Sequence, residues 1–299
     1  MKGPRERYRD KRHDAAPIVS HPATEIEAII LDYLPKGYYA DPHREHRNRP
    51  VAQALGLRNF VLLDGIPLEP VESLEYVSLA REITRTLPIE IGPGGRPITR
   101  TVYLACMPGA DKHIYCYPFE IKDPKTMRII VEAVESEDPR VMVVTGLEAL
   151  KSVAQERGLP TKILVVPRRP LTYNDLSDFA KKTLEEALRK VITDREEFFV
   201  EFFNIAAPIN IRLHSLNLLK GIGKRVLLQI IRTRERRPFK SFNDIKKIIK
   251  ADPVDALVEK ILEEIRGEAR YYLFVPPPPG SNEPFLNYMD YIRKHMKRR

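Results

Sequence analysis

The residues of this chain best suited to bind a charged ligand lie in the run 219–225, whose sequence is LKGIGKR. Glycine adopts backbone angles that are closed to other residues and lets another backbone approach closely. The run therefore predicts a helix, a tight turn at Gly221 and Gly223, and the start of a second helix. The first N–H groups of such a helix have no intrahelical partner and attract an anion. The chemistry that this pattern favours is the binding of a phosphate group.

The sequence around this turn carries only positive charge. Residues 202–234 contain no Asp or Glu. Lys224 and Arg225 fall in the first turn of the second helix, where the helix dipole disfavours cations, so an external anion would supply the missing negative charge. The alternative is an ordinary joint between two packed helices with solvated cations. The predicted phosphate-binding residues are Lys220, Gly221, Ile222, Gly223, Lys224, Arg225, Arg232, Arg234 and Arg212.

A second candidate lies in the segment 38–50, which combines aromatic rings with arginines. Single-stranded nucleic acid is held by base stacking together with backbone charge. The alternative is an exposed loop without a ligand. His43 and His46 lie in the same segment, but the surrounding arginines favour a solvated loop over a metal site. The candidate residues are Tyr38, Tyr39, Arg44, Arg47 and Arg49.

No catalytic constellation is evident in the sequence. The chain has no GxxxxGK[ST] loop for a nucleoside triphosphate, and its adjacent glutamates do not share a helix face. We therefore predict no catalytic residues, no metal and no cofactor. Cys106 and Cys116 are the two cysteines; they can pair across a hairpin, but reduced buried thiols are favoured because no export signal is evident.

Composition favours a polyanionic partner. The 299 residues carry a formal net charge of +9. No apolar run approaches the roughly 20 residues that span a bilayer, and residues 1–12 lack the apolar core of a secretory signal. We expect a cytoplasmic protein that has no contact with membranes.

The pattern of elements predicts an α+β protein. Short strands around a functional loop suit a small barrel, alternating strands and helices suit an α/β lobe, and Ala/Leu/Lys/Glu-rich segments suit helices. The predicted units are a flexible basic arm (1–24), a small β barrel of the oligonucleotide-binding type (25–87), an inserted α/β lobe (88–168), an all-helical tandem hairpin domain (169–274) and a Pro-linked basic C-terminal helix (275–299).

Individual elements follow from periodicity. Phe285, Met289, Ile292 and Met296 recur at helical spacing, which predicts a face that docks on the parent fold or on a protein partner. Strands are predicted at residues 26–34, 60–63, 76–79, 101–107, 113–121, 141–145 and 162–166, and helices at 51–55, 125–135, 147–157, 173–192 and 254–265.

Two resemblances extend this interpretation. Residues 216–225 (LNLLKGIGKR), followed by Ile230, Ile231 and residues 238–245 (PFKSFNDI), resemble a helix-hairpin-helix module. The resemblance implies binding of the nucleic-acid backbone, without sequence readout, through main-chain N–H groups. Lys220 stands where the family usually has proline.

The wider chain resembles an archaeal family, domain-of-unknown-function family 655, whose members are described as nucleotide- or RNA-binding. The matching stretches are residues 31–37 (LDYLPKG), 50–56 (PVAQALG), 199–204 (FVEFFN) through 225, and 268–274 (EARYYLF). The resemblance implies an oligonucleotide-binding barrel followed by tandem helical hairpins, and it favours RNA over DNA.

The sequence thus predicts a non-catalytic nucleic-acid-binding protein that grips the phosphate backbone. One alternative is a nucleic-acid-processing enzyme whose active site lies in the lobe near residues 143–146, where a strand ends and a helix begins. Another is an assembly factor that bridges RNA and a protein through the C-terminal helix.

Overall fold

The structure is a computed structural model that describes residues 25–42, 47–91, 97–167 and 170–298. The predicted basic arm, together with Arg44, His43 and His46, lies outside the described residues. The described part has a mixed α+β architecture, in which a large sheet carries helices and continues into a helical region.

Eight strands of the described part form one sheet. Their order is β1-β2-β3-β8-β4-β5-β6-β7, and β1 also pairs with β4. Strand β8 runs parallel to β4 and antiparallel to β3, and β7 runs parallel to β6. The strands are β1 (Glu27–Leu34), β2 (Val51–Gly56), β3 (Leu62–Pro67), β4 (Tyr76–Ile91), β5 (Pro97–Pro108), β6 (Ile114–Tyr117), β7 (Val141–Val143) and β8 (Ile163–Val166).

The described part also has eight α-helices and a small hairpin of two strands, β9 (Pro208–Asn210) and β10 (Leu213–His214). Short 3-10 helices cover Tyr173–Asp175 and Ser215–Leu218. The α-helices are α1 (Pro124–Glu137), α2 (Leu147–Glu156), α3 (Asp178–Asp194), α4 (Glu196–Ile205), α5 (Lys224–Arg236), α6 (Phe242–Lys246), α7 (Pro253–Ile265) and α8 (Tyr288–Met296).

The sheet shows that one predicted element is wrong and that another lies in an unexpected position. The helix predicted at residues 51–55 is wrong, because this segment is strand β2, buried along its whole length and paired with both β1 and β3. A short apolar run does not distinguish a strand from a buried helix by periodicity. The strand predicted at 162–166 exists as β8, but it pairs with β3 and β4 beside the N-terminal strands. The predicted boundary at residues 87–88 falls inside β4, which pairs with β5 on both sides of it.

Alternation along β1 places two cores back to back. Ala28 and Ile30 pack among the strands, whereas Ile29 and Leu31 on the opposite face join the large apolar core of the helical region. Successive side chains of a strand point to opposite faces, so one strand supplies both cores. The outer face of β1 is therefore covered by helix α3.

The lobe places a helix on each face of the long hairpin. Helix α1 packs over Ile83 and Leu104, and α2 packs over Ala80 and Ala105 on the other face. Cys106 and Cys116 are bonded in a disulfide, which overturns the preference for reduced thiols. The two residues are direct partners on antiparallel β5 and β6, with Cα atoms 4.1 Å apart, so pairing brings their side chains together.

The C-terminal helix docks on its own fold. Tyr288, Met289 and Ile292 of α8 are buried in the large core of the helical region. Of the predicted apolar stripe, Met289 and Ile292 are buried and Met296 packs against the core, whereas Phe285 is 37% exposed. None of the helices in the described ranges is both long enough and apolar enough to cross a bilayer.

Candidate functional site

The glycine turn is anchored by two buried apolar side chains, Leu219 and Ile222. Before it stands the 3-10 helix Ser215–Leu218, in place of the predicted α-helix. Gly221 has φ +83°, a left-handed conformation that L side chains rarely adopt, and a Cβ there would lie 3.2 Å from the Cβ of Ala251. The turn therefore requires glycine at residue 221.

Gly223 has a different role from the one the sequence predicts. Its φ is −79°, and a Cβ at this position would meet nothing within 4 Å. Neither backbone conformation nor packing demands glycine here. Because Gly223 is the N-cap residue of α5, its missing side chain leaves the start of that helix bare and open.

The turn is braced by Asn217, which the sequence analysis did not single out. Its Nδ2 donates to the carbonyl oxygen of Ile222 at 3.0 Å, and its Oδ1 accepts from the N–H of His214 at 3.3 Å. The Ile222 N–H donates to the Leu219 carbonyl at 3.2 Å. These bonds fix the backbone just before α5.

The start of α5 has free donors and unpaired cations. The first intrahelical bond runs from the Leu227 N–H to the Gly223 carbonyl at 2.9 Å, so the N–H groups of Lys224, Arg225 and Val226 have no intrahelical partner. None of the described side chains caps them. Lys224 and Arg225 are exposed, and neither forms an ion pair with any described carboxylate.

A basic stripe continues along α5. Arg225, Arg232 and Arg236 are separated by seven and four residues, which places them on one helix face, and all three are exposed. At 1.5 Å per residue the stripe is about 16 Å long. Arg236 was not among the predicted site residues, although helical spacing from Arg225 would have found it.

Arg234 faces inward instead. Its Nη1 donates to the carbonyl oxygen of Phe203 at 2.9 Å, and burial lowers the pKa of its guanidinium. The same environment affects buried His214, whose pKa is lowered to about 4 by burial and secondarily by Arg234. Arg234 thus holds α5 against α4, on the face opposite to the stripe.

Lys220 lies in the turn just before α5, and Arg212 lies in the hairpin that precedes that turn. The Lys220 ammonium lies 2.7 Å from the Glu259 carboxylate on α7, in an exposed pair of the kind that contributes little stability. Arg212 is exposed at the tip of the β9–β10 hairpin. Neither side chain is buried, so both are accessible to a ligand.

The segment 38–50 was predicted to be a loop whose tyrosines and arginines bind nucleic acid, and its described arginines have contacts within the protein. Tyr39 is 85% exposed, but Arg49 lies 2.7 Å from Glu120 and stacks over the Tyr103 ring at 5.0 Å. The Nε of Arg47 donates to the Asp41 carbonyl at 3.1 Å. The arginines of the described part of this loop therefore contact the protein itself.

Tyr38 has an acidic neighbourhood. Its pKa is raised by burial first, then by Tyr39 and by the carboxylates of Asp178 and Asp175. Its ring lies edge-on to Tyr39, with centroids 5.9 Å apart. The structure brings residues 220–225 and Arg232 together on α5 and the turn before it, whereas the tyrosines belong to a separate element.

The lobe holds a groove of about 550 Å³ at the carboxyl ends of the parallel strands β6 and β7. Tyr117, Lys122, Arg128 and Thr145 are among its lining residues. This edge of a parallel sheet is where α/β folds commonly bind ligands. Among the described residues, no group of three His, Cys, Asp or Glu side chains is placed to hold a metal ion.

Similar proteins come from archaea. A family model described as protein of unknown function, DUF655, matches residues 24–276. The uncharacterized protein MJ0038 of Methanocaldococcus jannaschii is 37% identical over 110 residues, which are 36% of this chain and 51% of that protein, so the chain spans about half the length of this curated relative. The crystal structure of Af1531 from Archaeoglobus fulgidus has a TM-score of 0.49 and 25% identity, covering 84% of this chain and 100% of that chain.

Proposed function

For this chain, which belongs to the DUF655 family, we propose a role as a non-catalytic nucleic-acid-binding protein that grips the phosphate backbone at the start of α5. The observation that carries the proposal is the uncapped helix start, where exposed Lys224 and Arg225 have no carboxylate partner in the described part of the chain. Free N–H groups, the helix dipole and two cations all favour a phosphate there.

The stripe on α5 supports a polymer over a single anion. Arg225, Arg232 and Arg236 extend the positive surface by about 16 Å along the helix, which exceeds the size of one phosphate. A row of cations that tracks a backbone is the usual footprint of sequence-independent binding. RNA is favoured over DNA through the family resemblance.

The proposal also concerns two details of the fold, the closure of the sheet and the pairing of the helices. The pairing of β1 with β4, added to the order β1-β2-β3-β8-β4, supports a ring of five strands around small interior side chains such as Ala28, Ala52 and Ala54. The close approach of Gly221 to Ala251, in the turn between α6 and α7, supports two helical hairpins packed turn to turn. We propose that these are an oligonucleotide-binding-type barrel and a tandem helix-hairpin-helix unit.

The test is an anisotropy titration of the full chain against single-stranded RNA, single-stranded DNA and duplexes over a salt series. For a single strand, the logarithm of the binding constant should fall by about 0.7 per phosphate contacted for each tenfold rise in salt. The double variant K224E/R225E should bind at least about 100-fold more weakly at low salt, because like charges placed at a phosphate cost several kcal/mol.

The matched control is K112E/K125E, which makes the same change in charge on two exposed residues of the lobe that do not line its groove. This control should reduce affinity only slightly, through the net charge. Equal losses of affinity in both double variants would show that binding depends on the overall positive charge and not on a site at α5. Unchanged affinity in K224E/R225E would overturn the site assignment.

A second candidate function is an enzyme that uses the lobe groove. The observation that favours it is the position of the groove at the carboxyl ends of β6 and β7, with Lys122 and Arg128 at its border. Incubation of the full chain with labelled RNA, nucleotides and Mg²⁺ tests it. Turnover that is lost in T145A/R128A would favour the enzyme, whereas binding without turnover would favour the first proposal.

A further inference from the structure

The tip of the β9–β10 hairpin displays an isoleucine that no part of the fold covers. Ile211 is 99% exposed, and it stands with Arg212 in the tight turn between the two strands. Tight turns favour Gly, Pro, Asn, Asp and Ser, each for a stated conformational reason. A β-branched aliphatic residue has no such reason to occupy this position, and its side chain is left in solvent by the described part of the fold.

The turn that carries Ile211 is locally fixed. The side-chain Oδ1 of Asn210 accepts from the N–H of Arg212 at 2.9 Å and from the N–H of Leu213 at 3.0 Å. This arrangement is an Asx turn, in which a side chain replaces a backbone acceptor. It holds the isoleucine outward and prevents the tip from folding back onto the protein surface.

The neck of the hairpin is clamped to the C-terminal helix. The Ser215 hydroxyl lies 2.7 Å from the Tyr288 hydroxyl, and that hydroxyl accepts from the N–H of Ala207 at 2.9 Å. The Ser215 N–H also donates to the Ala207 carbonyl at 3.2 Å. Since Tyr288 is itself buried, the hairpin projects from a rigid base.

The hairpin lies beside the proposed backbone-binding helix. The Oδ1 of Asn217 accepts from the His214 N–H at 3.3 Å, and its Nδ2 donates to the Ile222 carbonyl at 3.0 Å, which places the end of β10 beside the turn before α5. Ile211 is three residues from His214, or about 10 Å along an extended strand. The tip therefore lies at most about 10 Å farther from the start of α5 than His214 does, a span that one or two nucleotides of a bound strand cover.

We infer that Ile211 inserts between neighbouring bases of the nucleic-acid strand whose phosphates α5 holds. Apolar side chains are used in this way as wedges between base steps. Charge complementarity selects this partner: Arg212 adjoins the isoleucine, and residues 202–234 contain no acid that would accompany a basic protein partner. The inference rests on the proposed function and adds a contact with bases to the contact with phosphates.

The experiment measures the affinity of the full chain for two RNA 16-mers of equal length and charge, one normal and one with internal abasic positions. Wild-type protein should bind the normal strand about five-fold more tightly, because burying roughly one methylene group of the isoleucine side chain between bases has about this effect. The I211S variant should bind both strands with the affinity that wild type shows for the abasic strand. I211L should restore the preference for bases.

Two controls keep the outcomes separate. F179S removes another exposed apolar side chain, on α3, and should leave the preference for bases unchanged. K224E/R225E should weaken binding of both strands equally. If wild type binds both strands with equal affinity, or if I211S keeps the preference, the wedge is overturned while the backbone site stands. If the wild-type chain binds neither strand at low salt, both proposals fail.

Discussion

Two helix starts that approach each other in the helical region are built in opposite ways. At α7, Asp252 caps the helix by accepting from the Val254 N–H at 2.9 Å, Pro253 removes one of the free donors, and Lys246 pairs with the Asp252 carboxylate at 2.9 Å. At α5, the N-cap is Gly223, no side chain accepts from the free N–H groups, and cations occupy the first turn.

The difference separates a structural helix start from one that is available to a ligand. The donors of α7 are satisfied within the chain, so this end contributes stability and offers nothing to an anion. The first donors of α5 have no partner in the described part of the chain, and the charges of Lys224 and Arg225 are unfavourable next to its dipole unless an anion is bound. We expect lower intrinsic stability at α5, and the proposed binding role accounts for it.

The largest change in stability is expected at Gly221, which lies in the turn before α5 and close to Ala251 in the turn before α7. G221V forces a β-branched residue into a left-handed conformation and against Ala251, so we expect a loss of about 1–3 kcal/mol in the free energy of unfolding. RNA affinity should fall together with it, because the turn places the N–H groups of α5.

Denaturant unfolding and RNA titration of the same preparations test this expectation. The control is G223A, since Gly223 has a negative φ and open space around its Cα. We expect its stability to change by less than about 1 kcal/mol. Similar losses in the two variants would show that Gly221 has no special role.

How far the sequence predicts this arrangement differs between its parts. The charge pattern locates the α5 turn, because acid-free flanks and glycines are visible without a fold. It does not separate Arg234, which faces inward, from Arg236, which faces outward, because the phase of a helix depends on what it packs against. Nor does it show that only Gly221 needs to be glycine.

The sheet shows the same limit. The two strands that end the predicted barrel and lobe, β4 and β8, pair with each other across more than 70 residues of sequence. Such long-range pairing leaves no local signal in the sequence. The strand predicted at residues 162–166 is therefore present as β8, but its position in the sheet was not predicted. A helix was wrongly predicted at residues 51–55, because strand β2 (Val51–Gly56) is buried on both faces and lacks the alternation that marks a strand.

A smaller effect is expected at the closed helix start. D252A removes the cap of α7 and should lower the free energy of unfolding by about 1 kcal/mol. RNA affinity should stay the same, because α7 does not bind phosphate in this account. The matched variant D123A removes the cap of α1, where Asp123 accepts from the Thr126 N–H at 2.8 Å, and should behave alike. A marked gain of affinity in D252A alone would place the ligand at α7, because the donor that Asp252 occupies would become free.

The most direct test of the central claim uses a variant in which α5 has an aspartate N-cap, as α7 already has. G223D places a carboxylate at an N-cap whose backbone conformation accepts it, with open space around it. We predict that the free energy of unfolding rises by about 1 kcal/mol. RNA affinity should fall at least about tenfold relative to G223A, because the new carboxylate occupies the donors and repels phosphate. Higher stability with unchanged affinity would contradict the claim that the start of α5 holds the backbone.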